Sequence, residues 1–135
     1  MTDTRLGEWL KSCTFPYWCT GQHKISAEAF FQAWARGEAV LLDLRDEVEA
    51  QFLQLPFALH IPIHRLPDEL HRIPRDRLVA TFCSGGDRAA VAFAYLQALG
   101  FKNVRIFKGG YASLIQELLP GRLVQYQKRD RESRP

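Results

Sequence analysis

Short apolar runs alternate with amphipathic stretches along most of this chain. Apolar character over several consecutive residues is typical of parallel strands that are covered on both faces, and it predicts strands at residues 39–44 and 78–82. Shorter strands are predicted at residues 59–61 and 104–107. Helical patterns lie between them, at residues 28–35 with Ser26 as N-cap, 46–52, 66–73, 89–99 and 111–119. Strands that alternate with helices in this way predict an α/β domain with a central parallel sheet flanked by helices.

The pattern also divides the chain into three parts. Residues 1–23 form an aromatic leader that we expect to pack on the domain or extend it, with docking of a partner as the alternative. Residues 24–121 form the domain itself. Pro120 and Gly121 are expected to stop its last helix, and the polar residues 122–135 are expected to be a mobile, solvated tail.

Composition excludes several classes of protein. Of the 135 residues, 47% are hydrophobic and 24% charged, as in ordinary globular proteins, and a net charge of +3 does not favour nucleic-acid binding. No apolar run is long enough for a bilayer, and the first residues resemble no signal peptide. Three cysteines make no disulfide framework. We therefore expect a cytoplasmic protein that binds neither membrane nor nucleic acid, while the oligomeric state stays open.

Cys83 stands between the apolar run of residues 78–82 and the following helix. Backbone N–H groups and the positive end of the helix dipole favour a thiolate at such a place, and Arg88 adds to the same field. Gly85 and Gly86 allow the loop to curl closely around the sulfur. Together these features predict a reactive cysteine, although an isolated free cysteine is more often an inert core residue.

Several motifs follow one another in a characteristic order. They are the strand end Asp43-Leu44-Arg45, Glu49 four residues later, the stretch from Leu55 to Pro62, the loop Cys83-Ser84-Gly85-Gly86-Asp87-Arg88, and Lys108-Gly109-Gly110. At this spacing the set resembles the single-domain rhodanese-like sulfurtransferases, and the similarity covers residues 25–119. The resemblance implies a rhodanese-like three-layer domain. Ser84 departs from the family pattern, which often has arginine there.

The resemblance implies a sulfurtransferase without cofactor or metal. Cys83 would take sulfur from thiosulfate or from a small or protein persulfide, and would pass it from a Cys83 persulfide to a thiol or to cyanide. Backbone N–H groups of the loop residues would stabilise the thiolate and the anionic persulfide; these residues are Ser84, Gly85, Gly86, Asp87 and Arg88. The partners are then a small sulfur donor or persulfidated protein and a thiol acceptor.

Charged side chains around the loop allow more than one role. Arg88 either binds an anionic donor or turns back to brace the loop against a carboxylate. Asp87 suits the first turn of a helix, and its charge offsets that of Arg88, which predicts weak attraction for thiosulfate. Asp43 ends the preceding strand. Arg45 and Glu49 are expected to form an ion pair that fixes the junction of strand and helix, with substrate contact as the less favoured alternative.

Two other functions remain open at this point. A cysteine-dependent phosphatase or arsenate reductase would use a similar loop, but those relatives typically have one more residue between cysteine and arginine. A binding or sulfur-relay module without enzymatic activity is the other alternative. Five residues separate Cys13 from Cys19 in the leader, a gap too long for usual zinc spacing. They are either inert or resolving cysteines, which take sulfur from Cys83 or close a disulfide with it.

Overall fold

A sheet of five strands forms the centre of the computed structural model, which describes the backbone of residues 4–133 and the side chains as far as residue 127. The strands are β1 (Lys24–Ile25), β2 (Ala39–Asp43), β3 (Leu59–His60), β4 (Leu78–Phe82) and β5 (Val104–Phe107). They lie in the order β1-β5-β4-β2-β3, and every neighbouring pair is parallel.

Helices cover both faces of this sheet. They are α1 (Thr4–Ser12), α2 (Phe15–Cys19), α3 (Ala27–Ala35), α4 (Glu47–Phe52), α5 (Asp87–Ala98), α6 (Gly110–Glu117) and α7 (Pro120–Ser133). One apolar core contains Phe30 of α3 and Leu114 of α6, and the other contains Phe93 and Leu96 of α5. The predicted three-layer α/β domain is therefore confirmed, and the central strands are apolar because helices bury them on both sides.

Most predicted elements occur where the hydrophobic pattern places them. Strands β4 and β5 have the predicted bounds, and β2 and β3 each end one residue early. The hydroxyl of Ser26 accepts a hydrogen bond from the Ala29 amide at 3.1 Å, which confirms the predicted N-cap. The helix expected at residues 66–73 is wrong. Two short 3₁₀ segments stand there, Ile63–Asp68, which contains Pro67, and Leu70–Arg72.

The described part of the leader packs onto the domain. Trp9 of α1 meets the ring of Phe93 edge-to-face, with ring centres 5.7 Å apart, and its indole N–H donates to Gln97 at 3.3 Å. Helices α1 and α2 were not predicted, although Leu6, Trp9 and Leu10 follow the spacing of an amphipathic helix. Residues 1–3 of the leader lie outside the described residues.

The C-terminal segment differs from the expected mobile tail. Pro120 begins α7 instead of ending the chain's last helix, since proline is well accommodated in the first turn, where its missing N–H is not needed. Tyr126 is 3% exposed, stacks on Phe31 at 5.3 Å between ring centres, and donates a hydrogen bond of 2.5 Å to Glu117. One buried aromatic side chain thus ties an otherwise polar helix to the core. Residues 134–135 of the expected tail lie outside the described residues.

Among residues 4–133, no helix has the length and apolar character required to span a membrane.

Candidate active site

Cys83 lies directly after β4, at the carboxyl edge of the sheet, where ligands of parallel α/β proteins collect. Its sulfur accepts hydrogen bonds from the backbone N–H groups of Gly86 at 3.0 Å and Ala89 at 3.3 Å. The residue as a whole is 1% exposed. Two amide donors aimed at one buried sulfur suit a negatively charged thiolate or persulfide.

The loop supplies these donors differently from the sequence prediction. Of the five residues predicted as amide donors, only Gly86 makes a hydrogen bond to the sulfur; the N–H groups of Ser84, Gly85, Asp87 and Arg88 do not. Ala89 was missed, because the predicted donors end at Arg88 and Ala89 lies one residue further along the first turn of α5. Gly86 has φ = 130°, a backbone conformation that other residues rarely adopt, so the turn into α5 needs glycine there.

Arg88 turns back from the loop and binds Glu49 with both guanidinium branches, at 2.6 and 3.0 Å. One branch also donates to the hydroxyl of Ser84 at 3.1 Å. Of the two roles open from sequence, this geometry is that of a brace. The expected pair between Arg45 and Glu49 is wrong, since Glu49 faces the loop after β4 and not the end of β2.

Glu49 is also part of the capping box of α4. Its carboxylate accepts from the backbone N–H of Asp46 at 3.0 Å, while the Asp46 side chain accepts from Val48. The hydrogen bonds from Arg88, aided by that from Asp46 and outweighing partial burial, lower the pKa of Glu49 from 4.5 to about 2. Glu49 is therefore charged at neutral pH, and the active loop is fixed to the start of α4.

Arg45 is fully buried and pairs with Asp43 of β2. Its Nε and one terminal nitrogen each donate to the Asp43 carboxylate at 2.8 Å, and the other terminal nitrogen donates to the hydroxyl of Tyr111 at 3.0 Å. Burial by itself would lower the pKa of Arg45, but the bonds to Asp43 and Tyr111 outweigh it and raise the pKa. This ion pair supports the carboxyl edge of the sheet, and Tyr111 is a member that sequence spacing gave no reason to include.

Two further contacts shape the loop. The Cys83 thiol donates a hydrogen bond to a carboxylate oxygen of Asp87 at 3.8 Å, so a negative charge stands beside the position where a thiolate or persulfide would form. Gly110 lies so close to the loop that a Cβ atom there would sit 2.2 Å from the carbonyl oxygen of Ser84. That same oxygen accepts from the N–H of Tyr111 at 3.1 Å. The glycine pair at the start of α6 therefore allows the active loop to pack directly against this helix.

The leader contributes two further free cysteines. Cys13 is half-buried and Cys19 exposed, and both are free, as is Cys83. The described residues contain no group of three or more His, Cys, Asp or Glu side chains that could hold a metal ion. Whether Cys13 or Cys19 takes sulfur from Cys83 stays a prediction.

Comparisons with known proteins agree with this geometry. Residues 26–117 match the model of the family described as "Rhodanese-like domain". A curated sulfurtransferase of Allochromatium vinosum is 35% identical over 99 residues, which cover 73% of this chain and 92% of that protein. The thiosulfate sulfurtransferase GlpE of Pseudomonas savastanoi is 31% identical over 80 residues, covering 59% of this chain and 76% of GlpE.

A solved structure gives the same result. The crystal structure of a rhodanese-related protein from Thermoplasma volcanium superposes with a TM-score of 0.63 at 30% identity, covering 73% of this chain and 95% of that one.

Proposed function

This chain belongs to the rhodanese-like sulfurtransferase family, and we propose that it transfers sulfane sulfur from a donor to an acceptor through a persulfide on Cys83. The observation that carries the proposal is the pair of amide donors, Gly86 and Ala89, aimed at the buried sulfur. Such donors stabilise an anionic sulfur, so the attack by Cys83 does not need a separate general base.

The proposed reaction has two displacement steps. First, the Cys83 thiolate attacks the outer sulfur of the donor; a new S–S bond forms on Cys83, and the donor's own bond to that sulfur breaks. The donor leaves with the electron pair, as sulfite from thiosulfate or as a thiolate from a persulfide. Second, an acceptor thiolate or cyanide attacks the outer sulfur on Cys83, and the Cys83 thiolate is released. Sulfur moves between partners, and the Cys83 thiolate is regenerated.

The charges of the loop support a thiol or persulfide partner over thiosulfate. Arg88 is occupied by Glu49, and Asp87 stands 3.8 Å from the sulfur, so the loop offers no free cationic side chain to a small dianion. Four residues between Cys83 and Arg88 form a small loop, which suits one sulfur atom better than a tetrahedral oxyanion. A reducing compartment such as the cytoplasm suits three free cysteines.

Intact-protein mass spectrometry under non-reducing conditions tests the proposal. The protein is incubated with thiosulfate or with a persulfide donor, and we expect a gain of one sulfur atom in the wild type and none in Cys83→Ser. The double variant Cys13→Ser/Cys19→Ser is the matched control and should gain sulfur as the wild type does. No gain with either donor would contradict the proposal and favour a binding module or an oxyanion enzyme.

A further inference from the structure

A cavity with three cationic side chains in its wall lies at the amino ends of β4 and β5. It has a volume of about 220 Å³ and is lined by residues 74, 75 and 77, before β4, and by residues 100–104, at the start of β5. The cationic residues are Arg75, Arg77 and Lys102, and none of the described residues that line the cavity is acidic. Cys83 follows the other end of β4, so this cavity and the proposed site of sulfur transfer lie at opposite edges of the sheet.

Two of these cations lack a carboxylate partner. Most arginines whose side chains the structure describes contact a carboxylate, as Arg88 does. Arg75 and Lys102 are exposed and contact no carboxylate of a described residue. Arg77 contacts only its neighbour Asp76, at 3.7 Å, and that carboxylate is 85% exposed. Like charges around one cavity repel each other, and a bound anion would offset this repulsion.

Arg75 is held in place by an aromatic ring. Its guanidinium carbon lies 3.8 Å from the ring centre of Phe101, a residue that is 4% exposed. This cation–π contact uses the flat face of the guanidinium and leaves the N–H groups at its edge available. One of them donates a weak hydrogen bond of 3.5 Å to the carbonyl of Gly100. Arg75 therefore keeps most of its donors unused at a fixed position in the wall of the cavity.

Size and charge together indicate the class of ligand. The cavity is smaller than the range of about 300–1,000 Å³ that is typical for whole small-molecule ligands, so it suits one charged group of a ligand. A carboxylate carries a single charge, whereas a terminal phosphate or diphosphate carries two or three and matches the donor fork of arginine. A nucleic-acid backbone has one charge per phosphate along its length, which suits a row of cations better than three cations around one cavity.

We propose that Arg75, Arg77 and Lys102 form a binding site for the terminal phosphate or diphosphate group of a small phosphorylated ligand. The site is additional to the proposed sulfurtransferase function, because no step of sulfur transfer at Cys83 uses these residues. Binding can therefore be measured without a sulfur donor.

The test is an NMR titration of the full chain with inorganic pyrophosphate. It is done at low salt, because salt screens exposed charges. In the wild type we expect the amide signals of residues 100–104 to shift. The double variant Arg75→Gln/Lys102→Gln should bind pyrophosphate about tenfold more weakly, as for the loss of two exposed charge contacts.

The matched control is the double variant Lys24→Gln/Lys108→Gln. It lowers the net charge by the same amount, at two exposed lysines that line another cavity, beside residues 18–21. We expect it to bind pyrophosphate as the wild type does. A second variant, Arg77→Gln/Lys102→Gln, keeps Arg75 on the ring of Phe101 and so separates charge from packing. It should also bind about tenfold more weakly.

Several outcomes would overturn the inference. They are no binding of pyrophosphate by the wild type, unchanged binding in either cavity variant, and an equal loss in the lysine control, which would indicate attraction by net charge alone. A short oligouridylate is titrated in parallel, and we expect it to bind more weakly than pyrophosphate. Tighter binding of the oligouridylate that is lost in the cavity variants would assign the surface to nucleic acid and would contradict a site for a terminal phosphate group.

Discussion

Glu49 and Arg88, 39 residues apart in sequence, hold each other through two hydrogen bonds of 2.6 and 3.0 Å. The pair joins the helix after β2 to the loop after β4. Because the guanidinium of Arg88 also donates to Ser84, the shape of the loop around Cys83 depends on a side chain that does not touch the sulfur. Glu49 is therefore a positioning residue of the proposed site.

Replacement of Glu49 by Gln tests this role. The variant keeps the size of the side chain but loses the charge that holds Arg88, and we expect transfer of sulfur to Cys83 to slow about tenfold, as for the loss of one charge-assisted hydrogen bond. The measurement is the rate of sulfur gain by mass spectrometry. Glu47→Gln is the control, because Glu47 lies on the same helix in an exposed pair with Arg65. Equal rates in the two variants would exclude a positioning role for Glu49.

The same pair predicts how stability depends on pH. The pKa of Glu49 is lowered from 4.5 in its ordinary state to about 2 in the folded protein, chiefly by hydrogen bonding to Arg88. A depressed carboxyl pKa contributes stability that is fully present above the unfolded value and is lost as pH falls through the folded value. We expect the free energy of unfolding in urea to decrease from about pH 5 to about pH 2, and to decrease less steeply in Glu49→Gln. Parallel pH curves for the two proteins would contradict this assignment.

Gly110→Ala should displace the active loop. A Cβ atom at Gly110 would lie 2.2 Å from the carbonyl oxygen of Ser84, and the backbone there has φ = 52°. Because a small misplacement of reacting groups is costly, we expect sulfur transfer to fall about 100-fold. Gly121→Ala is the control, since a Cβ there meets no atom within 4 Å. Wild-type transfer rates in a folded Gly110→Ala protein would show that the loop does not need this glycine.

Asp87→Asn should make Cys83 more accessible to negatively charged reagents. Its carboxylate lies 3.8 Å from the sulfur and repels an anion that approaches there. In a background of Cys13→Ser/Cys19→Ser, we expect the ratio of alkylation rates, iodoacetate over iodoacetamide, to rise about threefold, as for removal of one charge screened by water. Asp76→Asn, at a carboxylate that is 85% exposed, should leave the ratio unchanged. An unchanged ratio in Asp87→Asn would contradict the repulsion.

Tyr126→Ala tests whether α7 belongs to the folded domain. The side chain is 3% exposed, stacks on Phe31 and bonds Glu117, so we expect the free energy of unfolding to fall by about 3 kcal/mol. Leu123→Ala is the control on the same helix, because Leu123 is 44% exposed; it should cost less than about 1 kcal/mol. Similar effects of the two substitutions would mean that α7 does not dock through Tyr126.

Sequence alone predicted the parts of the fold that depend on local pattern. Strands β2 and β4 are almost entirely apolar runs, and such runs identify buried parallel strands well. Strand β1 has two residues and no detectable period, so it forms because β5 offers it a partner. Helix α7 has a polar sequence, and a single buried tyrosine leaves too weak a periodic signal to indicate that the segment docks.

In the candidate site, too, local features were predicted from the sequence and contacts between distant residues were not. The loop that contains Cys83 and Gly86 is local and was visible in the sequence. The ion-pair partners of the charged side chains were not visible in the sequence. Arg45 and Glu49 are four residues apart, and this spacing led to the prediction that they pair with each other. In the structure Arg45 turns to Asp43 and to Tyr111, 66 residues away, while Glu49 binds Arg88. Spacing along the chain indicates which residues can meet but not which of several partners each one takes.

The contacts of Gly110 and Tyr111 with the carbonyl of Ser84 have a consequence for the stage of translation at which the active loop is complete. A nascent chain that ends before residue 110 already contains Cys83, Glu49 and Arg88, but it lacks the N–H that holds the Ser84 carbonyl. The loop is thus completed only near the end of translation of the domain. Sulfur chemistry at Cys83 therefore depends on the complete fold. A truncated or partly synthesised chain lacks the Tyr111 N–H that holds the active loop.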